Sequence, residues 1–400
     1  MNRALRLAAC VLAACLLGPA ARALDIKLGV LTDLTGPYVD SSGKGAIVAT
    51  EMAVEDNQSI LAGHHVTIVS ADHQSKADIG AAIARQWLDR ENVDAIVNVP
   101  NSAIGLAVQQ VTKERNKIFL ITGAASDDLT GKACSPTSAH WTEDAYALAA
   151  GVTKAVLKQG GDTWFFITAD YAFGHAVQAQ AAKFIQQGGG KVIGSVDHPV
   201  GTTDQSSFML QAMASGAKVI AFANGGTDTV NSLKQAHEFH VGEDGKQRIT
   251  GVGLFLTDAH AVGLDIAQGL TFVTGFYWDM NDETRAWSKR YFARMGAMPT
   301  REHAETYAAV NHYLKSVVAE GSTDGLRVIA RMKATPVNDF MAKNGVLRAD
   351  GRMMSRVYLT QVKKPSESHY PWDYYKILAT IEPEDAFRPL AEGGCPFIKP

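Results

Sequence analysis

The stretch FITADYAFGH, residues 166–175, is the most informative part of the sequence for the fold class. Its first residues are apolar, and its second half is polar and aromatic. A short apolar run that ends in this way and then opens a helix is typical of a buried strand that delivers side chains to a cleft. The side chains after the strand support two interpretations. Asp170 and His175 could act as an acid–base pair, whereas Tyr171 and Phe173 could form the wall of a pocket.

The alternation of strand and helix extends through the chain in both directions. Before residue 140, strands are predicted at 26–33, 65–72, 94–99 and 117–122. After it, strands are predicted at 163–169, 191–196, 218–223, 249–256 and 269–278. Such alternation indicates parallel strands joined by right-handed helical crossovers. The two blocks therefore predict an α/β protein with two doubly wound parallel-sheet lobes.

Two further stretches modify this pattern. The segment 123–141 is rich in Gly, Ser, Asp and Pro, and it is predicted to be a loop or linker between the blocks. Near the end of the chain, RVYLTQVKK (356–364) and WDYYKILATI (372–381) alternate in polarity. Alternation with a period of two predicts antiparallel strands, so the chain is expected to cross between the lobes more than once.

The first 23 residues are predicted to be a signal peptide and not part of the fold. Two arginines precede an apolar stretch at 7–17, and Ala21-Arg22-Ala23 is a small-x-small cleavage site. The apolar stretch is too short to span a bilayer. The mature chain is therefore expected to begin at Leu24 and to reach the periplasm. The sequence LAAC at 12–15 resembles a lipoprotein processing site, which is the less favoured alternative.

Composition excludes some functions. The chain has 38 basic and 41 acidic residues and no Lys/Arg-rich run, which argues against nucleic-acid binding. Cys134 and Cys395 remain once the signal peptide is removed. Two cysteines in an exported chain suggest one disulfide, with two separate thiols as the alternative.

Motifs of catalysis and cofactor binding are missing from the sequence. It has no nucleophile elbow, P-loop, H-E-x-x-H or dinucleotide-binding fingerprint. His237 and His240 are spaced to share a helix face, which is more typical of a solvated surface than of a metal site. No nucleophile lies near Asp170 and His175, so an enzyme is the least favoured interpretation. No cofactor and no metal are predicted.

The loops after the predicted strands point to a binding cleft. In doubly wound sheets, ligands bind just beyond the carboxyl ends of the strands. Asn101 and Ser102 begin a helix, where free N–H groups favour an anion such as a carboxylate. The small residues after Thr122 let a ligand approach the backbone, and the loops at 223–228 and 257–260 come from the second block. Two lobes that face each other with such loops predict a cleft.

Several segments resemble, in the same order, the periplasmic leucine/isoleucine/valine-type solute-binding proteins of ABC transporters. The resemblance covers essentially the whole mature chain. The segments are IKLGVLTDLTGPYVDSSGKGAIVATEMAVED (26–56), DTWFFITADYAFGHAV (162–177), KVIAFANGGTDTVNSLKQAHEFHV (218–241) and PWDYYKILATI (371–381).

This resemblance implies a Venus-flytrap fold with three crossovers, near residues 140, 275 and 350. Lobe 1 would comprise 24–139 plus 276–348, and lobe 2 would comprise 140–275 plus 349–400. Members of the family do no chemistry. They capture a small solute and hand it to a membrane permease, so the expected partners are a solute and a permease, and the expected state is a monomer. A sensor that presents its ligand to a receptor is the alternative.

The resemblance also implies roles for individual residues. A ligand carboxylate would be held after the third and fourth strands, and its ammonium by Asp258. Where the family usually has an aromatic residue, this chain has Asn224-Gly225-Gly226, which predicts a larger pocket in which aromatic side chains could stack a ring. Two classes of ligand are therefore possible from the sequence. One is amino acids, branched-chain ones included, and the other is aromatic or other small carboxylic acids. No arginine lies in these loops, so an arginine clamp on a carboxylate is not expected. The predicted ligand-binding residues are Asn101, Ser102, Ala124, Ala125, Ser126, Tyr171, Phe173, Asn224, Gly225, Asp258, Tyr277 and Trp278.

Overall fold

The computed structural model describes residues 23–243 and 245–398. The predicted signal peptide, apart from its last residue, lies outside the described residues. The strands are β1 (Asp25–Thr32), β2 (His65–Asp72), β3 (Ala95–Asn98), β4 (Ile118–Ile121), β5 (Ser138–His140), β6 (Thr163–Ala169), β7 (Lys191–His198), β8 (Val219–Gly225), β9 (Arg248–Gly253), β10 (Thr271–Thr274), β11 (Val346–Leu347), β12 (Met353–Met354), β13 (Val357–Val362) and β14 (Tyr375–Ile381). The helices are α1 (Gly43–Asp56), α2 (Ala77–Arg90), α3 (Ser102–Glu114), α4 (Ala145–Lys158), α5 (Ala172–Gln187), α6 (Ser206–Ala214), α7 (Thr227–Glu238), α8 (Leu256–Val262), α9 (Leu264–Ala267), α10 (Asp282–Met295), α11 (Arg301–Glu320), α12 (Gly325–Ala334) and α13 (Pro383–Ala386). Over the described part of the chain, no helix has the length and apolar character needed to span a membrane.

The first parallel sheet has the strand order β2-β1-β3-β4-β5. β3 and β4 are buried along their whole length because helices cover both faces of the sheet. Leu28 and Val30 of β1 pack with α1, whereas Leu31 of the same strand belongs to a separate core with Trp87 of α2 and Ile104 of α3. The sheet thus separates two cores, and its carboxyl edge is left open to the second lobe.

The second parallel sheet has the order β7-β6-β8-β9. Trp164 and Phe166 of β6 and Phe222 of β8 are completely buried in its core. The apolar residues at the start of FITADYAFGH therefore belong to a central strand, β6, as predicted, and α5 follows it. The two sheets confirm the predicted α/β class with two doubly wound lobes.

A third sheet is antiparallel and has the order β10-β13-β14. The antiparallel strands predicted near the C-terminus are confirmed. β10 was predicted to continue the second βα block, but it pairs with β13 in this sheet. The chain passes between the lobes from β5 to α4, from β10 to α10 and from β12 to β13. The residue limits predicted for each lobe stay predictions.

The C-terminal segment returns to the first lobe. A disulfide joins Cys134 to Cys395, which are 261 positions apart in the chain. Arg388 Nη2 also donates to the carbonyl of Asp127 at 3.1 Å. These bonds attach the end of the chain to the loop after β4.

Candidate functional site

A small cavity lies where the carboxyl ends of the two parallel sheets face each other. Its volume is about 10 Å³. A buried water needs roughly 10–15 Å³ of such volume, so a larger solute requires the lobes to be further apart than they are here. The residues that line it are Tyr38, Pro100, Gly123, Ala125, Phe173, Gly225, Phe255, Arg301 and Glu302.

A second cavity of about 10 Å³ adjoins the first and shares Phe255 and Arg301 with it. Tyr277, which was predicted to bind ligand, lines this second cavity. Wider grooves of about 390, 540 and 520 Å³ lie elsewhere on the surface. None of these grooves is lined by a loop that follows a strand of either parallel sheet, so the small cavities occupy the position expected for a ligand.

The loop after β1 is folded around Asp33 and presents Tyr38 to the cleft. Asp33 Oδ1 accepts from Gly36 N at 2.7 Å, and Asp33 Oδ2 accepts from Tyr38 N at 3.0 Å. Ser75 Oγ donates to the same carboxylate at 3.1 Å. Asp33 is completely buried. A buried carboxylate with three donors holds its loop in one conformation, which fixes Tyr38 in place.

The end of β3 has an unusual backbone. Asn98 and Val99 have φ values of 82° and 61°. A positive φ is strained for a β-branched residue and persists only when the surroundings hold it. The Asn98 side chain accepts from Ser42 Oγ at 2.6 Å and donates to Thr122 Oγ1 at 3.2 Å. This buried network turns the chain sharply and places Pro100 at the cavity.

The loop after β4 approaches that turn closely. A Cβ on Gly123 would lie 2.6 Å from the Cα of Pro100, so only glycine fits there. Ala125 N donates to Ser102 Oγ at 3.1 Å, which joins this loop to the first turn of α3. The strand ends of the first lobe therefore form one rigid wall of the cleft.

Several contacts join the lobes across the cleft. The hydroxyl groups of Tyr38 and Tyr171 are hydrogen-bonded to each other. Thr227 N at the start of α7 donates to the carbonyl of Pro37 at 3.0 Å. Gly226 makes this possible, because its φ is 61° and a Cβ there would lie 2.2 Å from the Pro37 oxygen. The structure therefore shows the lobes drawn together.

Asp127 forms another contact between the lobes. Its Oδ1 accepts from Tyr146 N of α4 at 2.9 Å, and its Oδ2 accepts from Gln180 Nε2 of α5 at 2.7 Å. Burial, and then the charge of Asp144, raise the pKa of Asp127 to about 7. The carboxyl group is thus near its titration point at neutral pH.

Arg301, in the first turn of α11, reaches across to the second lobe. Its Nη1 donates to the carbonyl of Leu254 at 2.9 Å, and its guanidinium lies 4.0 Å from the ring centre of Phe255. Its Nε lies 3.0 Å from Glu143 Oε2. The geometry of that contact is an ion pair and not a well-aligned hydrogen bond, since neither atom has a hydrogen-bond partner within the described residues. The positive charge of Arg301 is therefore matched by Glu143.

Glu302 follows Arg301 and is held at the cavity by the start of α11. Thr300 Oγ1 donates to the carbonyl of Ser41 at 2.6 Å, and His303 Nε2 donates to the carbonyl of Ser42 at 2.9 Å. Glu302 is only 1% exposed, and its Oε2 has no hydrogen-bond partner among residues 23–243 and 245–398. Burial raises the pKa of Glu302 well above its usual range.

Comparison with known proteins identifies the family. A family model described as periplasmic binding protein matches residues 25–367. The chain belongs to the periplasmic binding protein family. The predicted resemblance to solute-binding proteins of ABC transporters is thereby confirmed.

Two solved structures are similar to this periplasmic binding protein over nearly all of its length. One is a periplasmic binding protein from Burkholderia mallei, with 45% identity, a TM-score of 0.91 and coverage of 94% of this chain and 99% of that one. The other is a branched chain amino acid ABC transporter periplasmic ligand-binding protein from Burkholderia xenovorans LB400, with 41% identity, a TM-score of 0.82 and coverage of 93% and 99%. The Leu/Ile/Val-binding protein homolog 7 of Brucella suis biovar 1 (strain 1330) is 26% identical over 318 residues, 74% of this chain and 77% of the relative.

Three of the predicted site residues line the first cavity of the binding protein. They are Ala125, Phe173 and Gly225, and they come from both lobes. Tyr171 lies at the cleft through its bond to Tyr38 but does not line the cavity. The expectation that aromatic residues after β6 form a pocket wall therefore agrees with the position of Phe173.

Other predicted residues at the strand ends have structural partners instead. Asn101 Oδ1 caps α3 by accepting from Ala103 N at 3.0 Å and Ile104 N at 3.2 Å. The carbonyl of Ala124 lies 2.8 Å from His140 Nε2, and Ser126 Oγ accepts from Asp128 N at 3.4 Å. Like Ser102, these residues shape the wall without lining the cavity.

The remaining predicted residues outside the cavity are also engaged. Asn224 Nδ2 donates to Ser232 Oγ at 3.0 Å, and Trp278 Nε1 donates to the carbonyl of Trp372 at 2.9 Å. Asp258 Oδ2 accepts from Phe255 N at 2.9 Å, which caps α8. Burial raises the pKa of Asp258 well above its usual range. Its predicted role toward a ligand ammonium stays a prediction.

The set of ligand-binding residues predicted from the sequence did not include Arg301 and Glu302, because the prediction considered only the loops that follow strands. They lie in the first turn of α11, directly after Pro299 and Thr300. A pair of opposite charges in the first turn of a helix that is otherwise rich in Ala and Val was the available signal. Arg301 reaches the cavity from the start of α11 and not from the loops after the strands of the two parallel sheets, which contain no arginine.

Asp170 and His175 form a surface pair. Asp170 Oδ1 lies 2.8 Å from His175 Nε2, and both side chains are about half exposed or more, at 64% and 49%. Neither residue lines the cavity between the lobes. The pair is thus not placed for chemistry on a solute held in the cleft, and the relatives of this chain are solute-binding proteins.

Proposed function

We propose that this protein captures a small organic solute, an amino acid such as a branched-chain one, between its lobes and delivers it to an ABC importer. The observation that carries the proposal is the cavity at the facing carboxyl ends of two parallel sheets. Both lobes contribute to its lining, so a solute held there touches both. The relative from Burkholderia xenovorans, named for branched chain amino acid transport, supports the same class of solute.

The mechanism is closure of the two lobes on the solute. A ligand shifts a conformational equilibrium only by its difference in affinity for the two states. A solute bound to one wall alone would leave the open form dominant. Moving the equilibrium from 1:99 to 99:1 takes about 5.5 kcal/mol of differential binding. Burial of an apolar group between Phe173 and Phe255, together with two charge-assisted hydrogen bonds of about 1.5–3 kcal/mol each, is sufficient.

The proposal extends to location and delivery. The mature chain would begin at Leu24 after removal of the signal peptide, act outside the cytoplasm as a monomer and dock its closed form on a permease. Mass spectrometry of the exported protein tests the cleavage site. A first residue other than Leu24 would contradict it.

Binding can be tested by thermal shift and titration calorimetry on the mature chain. The panel contains apolar amino acids, aromatic acids and short dicarboxylates. A ligand at 100 times its dissociation constant stabilises the folded state by about 2.7 kcal/mol. Stabilisation by one class is the expected result. A panel that gives no shift and no heat would contradict the proposed function.

Two glycine variants test whether the solute binds between the lobes. In Gly225→Ala, the new Cβ would lie 3.3 Å from Tyr38 across the cleft, so closure would have to displace that side chain. Overpacking costs about 1–3 kcal/mol, which predicts an affinity about 5- to 100-fold weaker. In the control Gly251→Ala, the Cβ meets only Thr229 at 3.9 Å, and affinity should be unchanged. Equal affinities in both variants would place the solute elsewhere.

Aromatic acids are the second candidate solutes. Phe173, Phe255 and Tyr38 give the cavity three aromatic walls, and aromatic rings pack favourably against one another. The same calorimetric panel separates the two classes.

A further inference from the structure

The first turn of α11 carries a buried acid, Glu302, that has no ion-pair partner among the described residues. Arg301 lies 3.0 Å from Glu143, and the second buried arginine, Arg352, lies 3.9 Å from Asp144. Each arginine of this region therefore has its own carboxylate. Glu302 and Glu305, both on α11 and both 1% exposed, form no ion pair of their own within residues 23–243 and 245–398, and the charge of Arg301 that acts on both is already paired by Glu143.

Of these two acids, only Glu302 faces the cavity between the lobes. Its Oε2 is buried and lacks a hydrogen-bond partner within the described ranges 23–243 and 245–398. A buried carboxylate oxygen without a partner is unfavourable, and native proteins rarely keep one without a function. The position is rigid, since Thr300 and His303 tie the start of the helix to the loop after β1.

The remaining cavity walls have a different chemistry. Phe173 and Phe255 from the second lobe and Pro100 from the first lobe are apolar. Arg301 does not offer the cavity an unmatched positive charge, because Glu143 and the carbonyl of Leu254 already take its guanidinium. The cavity thus presents one unmatched acid among apolar walls.

We infer that Glu302 receives a protonated amine of the bound solute, whose apolar group lies between Phe173 and Phe255. This inference rests on the proposed function and narrows its ligand class. The solute is an apolar compound with an ammonium group, such as an α-amino acid with an apolar side chain. Asp258 is not needed for this role, because its carboxylate caps α8. Burial is the first cause of the raised pKa of Glu302, and the neighbouring charge of Arg301 opposes it without restoring the ordinary value.

The test uses ligands that differ in one group. Leucine, 4-methylpentanoate and 3-methylbutylamine share the same branched apolar group. Leucine carries both charges, 4-methylpentanoate carries the carboxylate alone, and 3-methylbutylamine carries the ammonium alone. Phenylalanine, 3-phenylpropanoate and benzoate form the aromatic series. Each is titrated calorimetrically into the mature chain after exhaustive dialysis. An ammonium on a buried carboxylate should make each amino acid at least 10-fold tighter than its partner without the amine.

The variant Glu302→Gln should reduce this preference by about 10- to 100-fold, because the amide keeps the shape and loses the charge. Glu305→Gln is the matched control. Glu305 lies one turn further along the same helix, is equally buried and does not line the cavity, so its variant should keep the preference.

The outcomes separate this inference from the proposed function. Equal or tighter binding of the acids without an amine would overturn the inference and leave solute capture intact. An amine preference that survives Glu302→Gln would also overturn it. No binding of any ligand in either series would contradict both.

Discussion

The contact of Asp127 with α4 and α5 makes the stability of this protein depend on pH. Its carboxyl has a pKa of about 7 in the folded chain against an ordinary value of 3.8. The folded state therefore binds the proton more tightly than the unfolded state. The stabilisation from this group is complete below pH 4 and is lost as the pH rises through 7.

The magnitude follows from the two pKa values. Each pKa unit corresponds to about 1.36 kcal/mol of free energy of unfolding. Most of the interval between the unfolded and the folded pKa of Asp127 lies within the range from pH 5 to pH 8. Over that range, Asp127 should lower the free energy of unfolding by about 2.5 kcal/mol. Asp127→Asn should remove this loss. Its Oδ1 can still accept from Tyr146 N, and its amide can donate to Gln180 Oε1, which has no partner among the described residues, once the Gln180 amide is flipped.

The assay is urea unfolding of the ligand-free mature chain at pH 5 and pH 8, for wild type and Asp127→Asn. Between these pH values, the free energy of unfolding of the variant should rise by about 2.5 kcal/mol relative to that of wild type, since titrating groups that do not interact with Asp127 cancel in the difference. Asp128→Asn is the control, because that neighbour forms an exposed pair with Lys132 at 3.1 Å. Such a pair contributes roughly 0–1 kcal/mol. If the free energy of unfolding changed equally with pH in wild type and Asp127→Asn, the raised pKa of Asp127 would be contradicted.

Two further predictions concern the cross-link and the cleft. Replacing Cys134 and Cys395 by serine should lower the free energy of unfolding by up to about 5 kcal/mol, given the 261-residue separation, as measured by urea unfolding; an unchanged unfolding midpoint would contradict this. Tyr38→Phe removes the hydroxyl bond to Tyr171 and should weaken solute affinity about 5-fold, corresponding to roughly 1 kcal/mol. Tyr171→Phe should have the same effect, and the double variant no greater one, because all three lose one shared bond. Additive losses in calorimetry would contradict a direct bond.

The fold was predictable because its signals are local. Alternating apolar strands and amphipathic helices repeat along the sequence, and parallel pairing with right-handed crossovers then leaves few topologies. The pairing of β10 could not be predicted in this way. Its apolar run is equally consistent with a parallel and an antiparallel partner, and the choice depends on β13, whose paired residues lie 84 to 90 positions later in the chain.

The site was only partly predictable, because it depends on contacts between distant segments. The loops after strands gave Ala125, Phe173 and Gly225, whose positions follow from the general rule for doubly wound sheets. Arg301 and Glu302 reach the cleft because α11 is tied to the loop after β1 through Thr300 and Ser41, 259 positions apart. No local pattern encodes that approach.

Asp258 illustrates a limit of a different kind. Its place in the family resemblance suggested a ligand contact, yet an acid in the first turn of a helix also satisfies free backbone N–H groups. The structure uses the carboxylate in this second way, toward Phe255 N at 2.9 Å. A capping residue and a ligand residue look alike in sequence when both stand at the start of a helix.

Closure of the lobes on a solute can be measured in solution by small-angle X-ray scattering. The mature chain would be measured without ligand and with the tightest solute from the calorimetric panel at saturation. The radius of gyration of the protein should be smaller with the solute than without it, because contacts to both walls of the cleft favour the closed form. A solute that binds tightly and leaves the radius of gyration and the scattering profile unchanged would contradict closure of the lobes.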